Sequence, residues 1–238
     1  DWTREAGVRG LERNLATLLR KAATLIATGL TGPIAIGFDD LSTMLGKPIP
    51  REEIQNRTAV PGVATGLAVT GSGGDVLFVE ATSMPGEPGL ILTGQLGDVM
   101  KESGEIARSF LRSHAADLGL ENVDRRFHVH FPAGAVPKDG PSAGVTMTTA
   151  LVSLLTGRRV RHDVAMTGEV TLQGKVLPIG GVKDKLLAAH RAGLTEVVLP
   201  ARNHVDVDDV PDDVRDALTI HLVSDVREVL EIALEPAA

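Results

Sequence analysis

From Val63 onward, β-like runs alternate with segments long enough to be helices, and this interleaving is the strongest constraint on the fold. Residues 63–70 and 76–82 are joined by Gly71-Ser72-Gly73-Gly74, a glycine-rich connection that predicts a hairpin. Further strands are expected at 89–93, 127–131, near 164–170, at 176–179, 196–200 and 219–223. A turn is placed at Gln173-Gly174. Helices are expected at 98–118, 142–155, 182–192 and 225–234, with Gly119 and Gly157 as stops for the first two. Hairpins together with strand–helix alternation exclude a purely parallel sheet, so the fold class is α/β of the mixed (α+β) kind.

The chain before Val63 follows a different period. Val8, Leu11, Leu15, Leu18, Leu19, Ala22 and Leu25 recur at helical spacing, which predicts one helix over 3–28, capped by Thr3 and closed by Gly29. An extended piece at 33–38 and a brief helix capped by Asp39 or Asp40, ending near Gly46 and Pro48, come next. Residues 49–60 show little periodicity and read as a linker ending at Pro61-Gly62. The division is thus a small helical subdomain at 1–55 and a mixed domain at 56–238.

Composition narrows the function. Net charge is −7 with scattered basic residues, so nucleic acid is an unfavourable partner. With no cysteine, disulfides, thiolate zinc sites and cysteine nucleophiles are excluded. Aromatics are 3% and tyrosine is absent, which removes stacking platforms for bases. No apolar run approaches the ~20 residues that span a bilayer, and no secretory signal opens the chain. A cytoplasmic location is expected, and a start at Asp1 suggests a fragment or processed product.

The densest chemistry lies in Pro137-Lys138-Asp139-Gly140-Pro141-Ser142-Ala143-Gly144, where a loop turns into an apolar helix. Serine is common at helix starts as a cap. Here Gly140 and Gly144 leave room for a substrate backbone, and Pro141 preorganises the first turn. Unpaired N–H groups at such a start can stabilise an oxyanion. Gly140-Pro141-Ser142-Ala143-Gly144 also fits G-x-S-x-G, but that elbow needs a strand running into the serine, and residues 133–139 have no strand character. The downstream histidines His162, His190, His204 and His221 sit in no glycine-rich loop.

About forty residues on, Ala165-Met166-Thr167-Gly168-Glu169 leads to Gly180-Gly181-Val182-Lys183-Asp184-Lys185. These segments, in this order, resemble the proteolytic domain of the bacterial Lon family of ATP-dependent serine proteases. Gly73-Gly74-Asp75, Val79-Glu80-Ala81 and His128-Val129-His130 resemble it too. Residues 3–13 resemble the α-helical lid, the sensor-2 region, of the family's AAA+ module. The resemblance covers nearly the whole chain and implies a Lon-type proteolytic domain at 56–238 behind a lid at 1–55.

It also implies a Ser–Lys dyad in which Ser142 attacks the scissile carbonyl and Lys185 takes its proton. Lys183 and Lys185 point roughly 200° apart on a helix. Leu186 and Ala189 lie on the Lys185 side, which makes Lys185 the inward residue and Lys183 the solvated one. To act as a base at neutral pH the lysine must fall by roughly three units, a desolvation cost of about 4 kcal/mol. Thr167 matches a family position whose hydroxyl holds that lysine, although a plain strand threonine is an equal reading. Asp139, beside Gly140, matches a loop acid with a regulatory role, and Glu80 a carboxylate near the site.

Arg9 matches the arginine that senses the nucleotide's terminal phosphate. Nothing fits G-x-x-x-x-G-K-[ST], so this chain should not hydrolyse ATP alone; ATP and Mg belong to the full-length protein. No cofactor is implied for peptide hydrolysis. The partners implied are unfolded or damaged polypeptides and, in the full-length protein, five further copies in a hexamer.

Three readings compete: a serine endopeptidase, a dyad-inactive assembly module, and a Ser–His–Asp esterase using Asp139 with His128 or His130. No metal site is assigned, since the two histidines share a strand face without a third ligand. The acidic run Asp206, Asp208, Asp209, Asp212 and Asp213 reads as a solvated loop rather than a calcium site.

Overall fold

The structure, a computed structural model, describes residues 2, 3, 5, 7–48, 58–132 and 136–236. The chain forms two compact units, residues 1–52 with 71–73, and residues 53–70 with 74–238. In the first, helix α1 (Arg9–Ala27) packs against the short α2 (Leu41–Leu45), which follows a 3-10 turn at Phe38–Asp40. Helix α1 begins six residues later than its periodicity predicts, and Thr3 is not its cap. The carboxylate of Glu5 instead accepts from the backbone N–H groups of Gly10 (2.6 Å) and Leu11 (2.9 Å). An acid at this end also suits the helix dipole. The predicted stop survives as a glycine with positive φ, Gly29, one residue past the last cap.

Most of the predicted linker, 49–57, lies outside the described residues. Its end is docked on the second unit: Thr58 is buried, Gly62 N–H donates to Ser153 Oγ (3.0 Å), and Gly62 carbonyl accepts from Ala81 (2.7 Å).

The second unit is built on a seven-stranded mixed sheet of order β3-β4-β2-β1-β5-β8-β9. The strands are β1 (Val63–Thr70), β2 (Gly73–Met84), β3 (Gly89–Thr93), β4 (Arg126–His130), β5 (Val164–Met166), β8 (Glu196–Pro200) and β9 (Thr219–Val223). Strands β1, β5, β8 and β9 run parallel, β3 is parallel to β4, and β2 is antiparallel to β4. A separate hairpin pairs β6 (Glu169–Val170) with β7 (Val176–Leu177).

Alternate strand residues serve opposite faces, as the pleat requires. Leu77, Val79, Val164, Met166 and Val198 enter one core, with Phe110, Met147, Leu151 and Leu230 from helices. Phe78, Ala165, Val197 and Leu199 enter the other, with Val182, Leu186 and Ala189. The first face carries α3 (Asp98–Ser113), α4 (Gly144–Thr156) and α7 (Val226–Ala233); the second carries α5 (Val182–Arg191) and α6 (Asp212–Ala217). Helix α4 is buried from Gly144 to Ser153, and its sequence carries no charged residue, only apolar and small hydroxyl side chains. Thr148 and Thr149 stay satisfied by donating to carbonyls one turn back, of Gly144 (2.9 Å) and Val145 (2.8 Å), and Thr146 donates to Met166 carbonyl of β5 (3.4 Å).

Four predicted elements change shape. Helix α3 stops at Ser113 rather than at 118, where Ser113 Oγ donates to Ser109 and Phe110 carbonyls and competes with the backbone ladder. The run at 164–170 breaks at Thr167-Gly168 into β5 and β6. The serine lies in a 3-10 turn, Pro141–Ala143, ahead of α4 rather than inside it. The acidic run is no loop: it occupies a 3-10 segment, Ala201–Asp209, and α6. Among the described residues no cluster of three metal ligands exists.

Candidate active site

The site forms at the C-terminal end of β5, where a helix start from each core meets one interrupted strand. Three backbone and side-chain bonds pin the serine turn to the break. Gly168 N–H donates to Ser142 carbonyl (2.9 Å), Val145 N–H donates to Gly168 carbonyl (3.1 Å), and Thr167 Oγ1 donates to Ser142 carbonyl (3.2 Å). The break in the strand is therefore what frees Thr167 and Gly168 to hold Ser142.

Lys185 reaches the same point from the other face. Helix α5 buries Val182, Lys185, Leu186 and Ala189, the i, i+3, i+4, i+7 stripe of an amphipathic helix, with a lysine in a slot built for an apolar residue. Lys185 is 2% exposed, whereas Lys183 is exposed. Its Nζ donates to Thr167 Oγ1 (3.0 Å), so Thr167 links the lysine to the serine's backbone. Burial lowers the Lys185 pKa from 10.5 to about 8, because the uncharged amine suffers less from loss of water than the ammonium. Two glycines set the lysine's position. Gly181 starts α5 at φ +70 and its carbonyl accepts from Lys185 N–H (3.1 Å). A Cβ on Gly74 of β2 would stand 1.9 Å from Asp184 carbonyl, so only glycine lets this turn approach the sheet.

A neutral lysine has two N–H donors and one lone pair. With one N–H directed to Thr167, whose own proton is committed to Ser142 carbonyl, the lone pair is left to accept a proton from a neighbouring hydroxyl. Ser142 itself is half-buried, and Gly140 precedes it with φ +119.

The remaining candidates make other contacts. Asp139 Oδ1 accepts from Met100 N–H (3.0 Å) and Gly140 N–H (2.9 Å). His128 Nε2 and His130 Nδ1 both bond Thr93 Oγ1, at 2.9 and 2.7 Å. These contacts tie Asp139 to the start of α3 and both histidines to β3. Glu80 lies on β2 opposite His130 of β4. Arg9 is exposed on the first turn of α1, in the other unit. Ser103, which donates to Pro141 carbonyl (3.4 Å), and Gly168 are not recognisable from sequence, since a helix serine and a strand glycine carry no chemical signature.

Comparison with known proteins divides the chain between residues 34 and 35, whereas its compact units divide between residues 52 and 53. Residues 35–236 match the Lon protease (S16) C-terminal proteolytic domain, and residues 1–34 match the Lon protease AAA+ ATPase lid domain. The chain belongs to the Lon protease family. It is 64% identical over 240 residues to Lon protease of Salinispora arenicola and 64% identical over 240 to that of Mycolicibacterium smegmatis. It is 56% identical over 239 residues to Lon protease 2 of Myxococcus xanthus. These alignments cover 100%, 100% and 98% of this chain but 31%, 31% and 29% of the relatives, so the chain spans about a third of their length. No described helix is long and apolar enough to cross a membrane.

Proposed function

We propose that the chain is a serine endopeptidase module that cleaves peptide bonds with Ser142 as nucleophile and Lys185 as general base. The observation that carries this reading is the buried lysine, lowered to about 8 and held by Thr167 against the serine's own carbonyl. In the forward step Ser142 Oγ attacks the scissile carbonyl carbon as its proton passes to Lys185 Nζ. Collapse of the tetrahedral intermediate breaks the C–N bond, and the lysine ammonium returns the proton to the leaving amine. Water then attacks the acyl ester with the same lysine as base, releasing the acid and restoring the serine.

Asp139 and Gly140 govern the conformation of the serine turn in this reading, and Glu80 contributes a carboxylate from β2 of the same sheet. The full-length protein is an ATP-dependent, hexameric, cytoplasmic quality-control protease acting on unfolded or damaged polypeptides. There the exposed Arg9 guanidinium fits a phosphate contact, and ATP with Mg would supply the energy for unfolding substrates. This chain carries no phosphate-binding loop of its own, and no step of peptide hydrolysis depends on nucleotide. A fluorophosphonate probe with peptide mapping tests the nucleophile. Label on Ser142 in the parent chain and none in Ser142→Ala is the expected result. A folded parent chain that never labels at Ser142 would instead mark an inactive assembly module.

A further inference from the structure

We infer that Asp139 is a positioning residue that ties the serine turn to the start of α3, an inference resting on the reading of Ser142 as nucleophile. Helix α3 starts without a cap of its own. Its N-cap residue is Gly97, which has no side chain to offer the free N–H groups of the first turn. Asp139, three residues before Ser142 but far along the chain from α3, supplies the missing acceptor through its bond from Met100 N–H. The same oxygen accepts from Gly140 N–H, so one carboxylate orients both the helix start and the peptide leading into Pro141-Ser142.

The glycine and the aspartate are made for each other. A Cβ on Gly97 would lie 2.3 Å from Asp139 Cγ and 2.4 Å from Oδ2, so any other residue would expel the carboxylate from its place. The flanking backbone repeats the attachment. Gly97 N–H donates to Lys138 carbonyl (2.8 Å), Lys138 N–H donates to Gln95 carbonyl (2.9 Å), and Ser103 Oγ donates to Pro141 carbonyl. Lys138 Nζ donates to Gly94 carbonyl (3.2 Å) on the same connection. Residues 95–103 thus form a cradle for 138–141. Thr167 and Gly168 hold Ser142 from one side, and α3 holds the approach to it from the other. A side chain that ties this approach in place sets where Ser142 Oγ points without touching a substrate.

The test uses the whole 238-residue chain, labelled by a fluorophosphonate well below its melting temperature. The rate at Ser142 is followed by mass spectrometry. Asp139→Ala slows labelling by about tenfold or more, as misplacement of a reacting group does. Asp139→Asn keeps an oxygen acceptor and recovers most of the rate. Gly97→Ala keeps Asp139 but displaces its carboxylate, and slows labelling similarly. The double variant is no slower than the slower single, because both remove one interaction. A stabilising role alone would lower the melting temperature of Asp139→Ala and leave the folded protein's labelling rate unchanged, which overturns the inference. Should Asp139→Ala not fold, Gly97→Ala decides alone, and labelling at the parent rate overturns it. Failure of the parent chain to label at Ser142 refutes the nucleophile reading instead.

Discussion

At the residue scale, most of the chemistry rests on one lysine placed where an apolar side chain belongs. The unfolded chain keeps the Lys185 proton up to the ordinary 10.5, whereas the folded chain releases it near 8. Between those values the unfolded state holds more protons, so stability climbs with pH; below 8 the penalty, about 3 kcal/mol, is felt in full. Lys185→Met is therefore expected to abolish Ser142 labelling and peptide hydrolysis while melting at or above the parent temperature at pH 7. The difference should shrink as pH approaches 10.5. A methionine variant that melts well below the parent at pH 7 would show that the lysine stabilises the fold. For the parent, peptide kcat/KM should rise with pH and level off above about 8 as the neutral amine becomes the main form, which a pH–rate profile checks. Much of this was legible in sequence, because Val182, Lys185, Leu186 and Ala189 carry the spacing of a buried stripe. The resemblance anticipated the bond between Thr167 and Lys185, but the second bond, from Thr167 to Ser142 carbonyl, was not legible, because a threonine in a β-like run looks the same whether or not its strand is broken.

At the element scale, the site depends on how closely α5 can approach β2. Gly74→Ala should push the first turn of α5 off the sheet, costing about 1–3 kcal/mol by overpacking. It should slow Ser142 labelling as well, because Lys185 rides on that turn. Thermal melts and labelling rates measured together would check this, and an alanine variant with parent-like labelling would refute it. Helix α7 offers the contrast. Its start is a capping box in which Asp225 accepts from Arg227 N–H and Glu228 reaches back to the Asp225 N–H. Asp225→Ala should cost about 1 kcal/mol and leave the labelling rate unchanged below the melting temperature. Helical periods placed α3, α4, α5 and α7. The exact limits escaped them where side chains compete with the backbone, as Glu5 does ahead of α1 and Ser113 at the end of α3.

At the scale of the whole molecule, the residues of the proposed dyad and their supports all belong to the second unit. A chain lacking residues 1–52 is expected to keep Ser142 labelling within a few-fold of the parent, measured with the same probe, and loss of labelling in a folded truncation would contradict that. That unit is also tied together far from the site. Arg161 pairs with Asp163 (2.8 Å) and with Glu196, which also bonds His221 (2.7 Å), while Arg161 N–H donates to Ala233 carbonyl in α7 (2.8 Å). The Arg161 guanidinium holds the Glu196 carboxyl below its ordinary pKa. Arg161→Ala leaves two half-buried carboxylates without that partner and should destabilise the chain by about 2–3 kcal/mol. The change should be read in denaturant melts, with labelling of the folded protein unaltered. The sequence by itself determined the change from helical to mixed architecture, the inward lysine and the serine's place at a helix start, because hydrophobic period and turn chemistry are local properties. Only the tertiary structure decided that β5 breaks at Thr167-Gly168, that Thr167 bridges Lys185 to Ser142, and that Asp139 caps a helix forty residues upstream. Those bonds join segments distant in sequence, and their geometry exists only once both cores have closed on the two faces of the sheet.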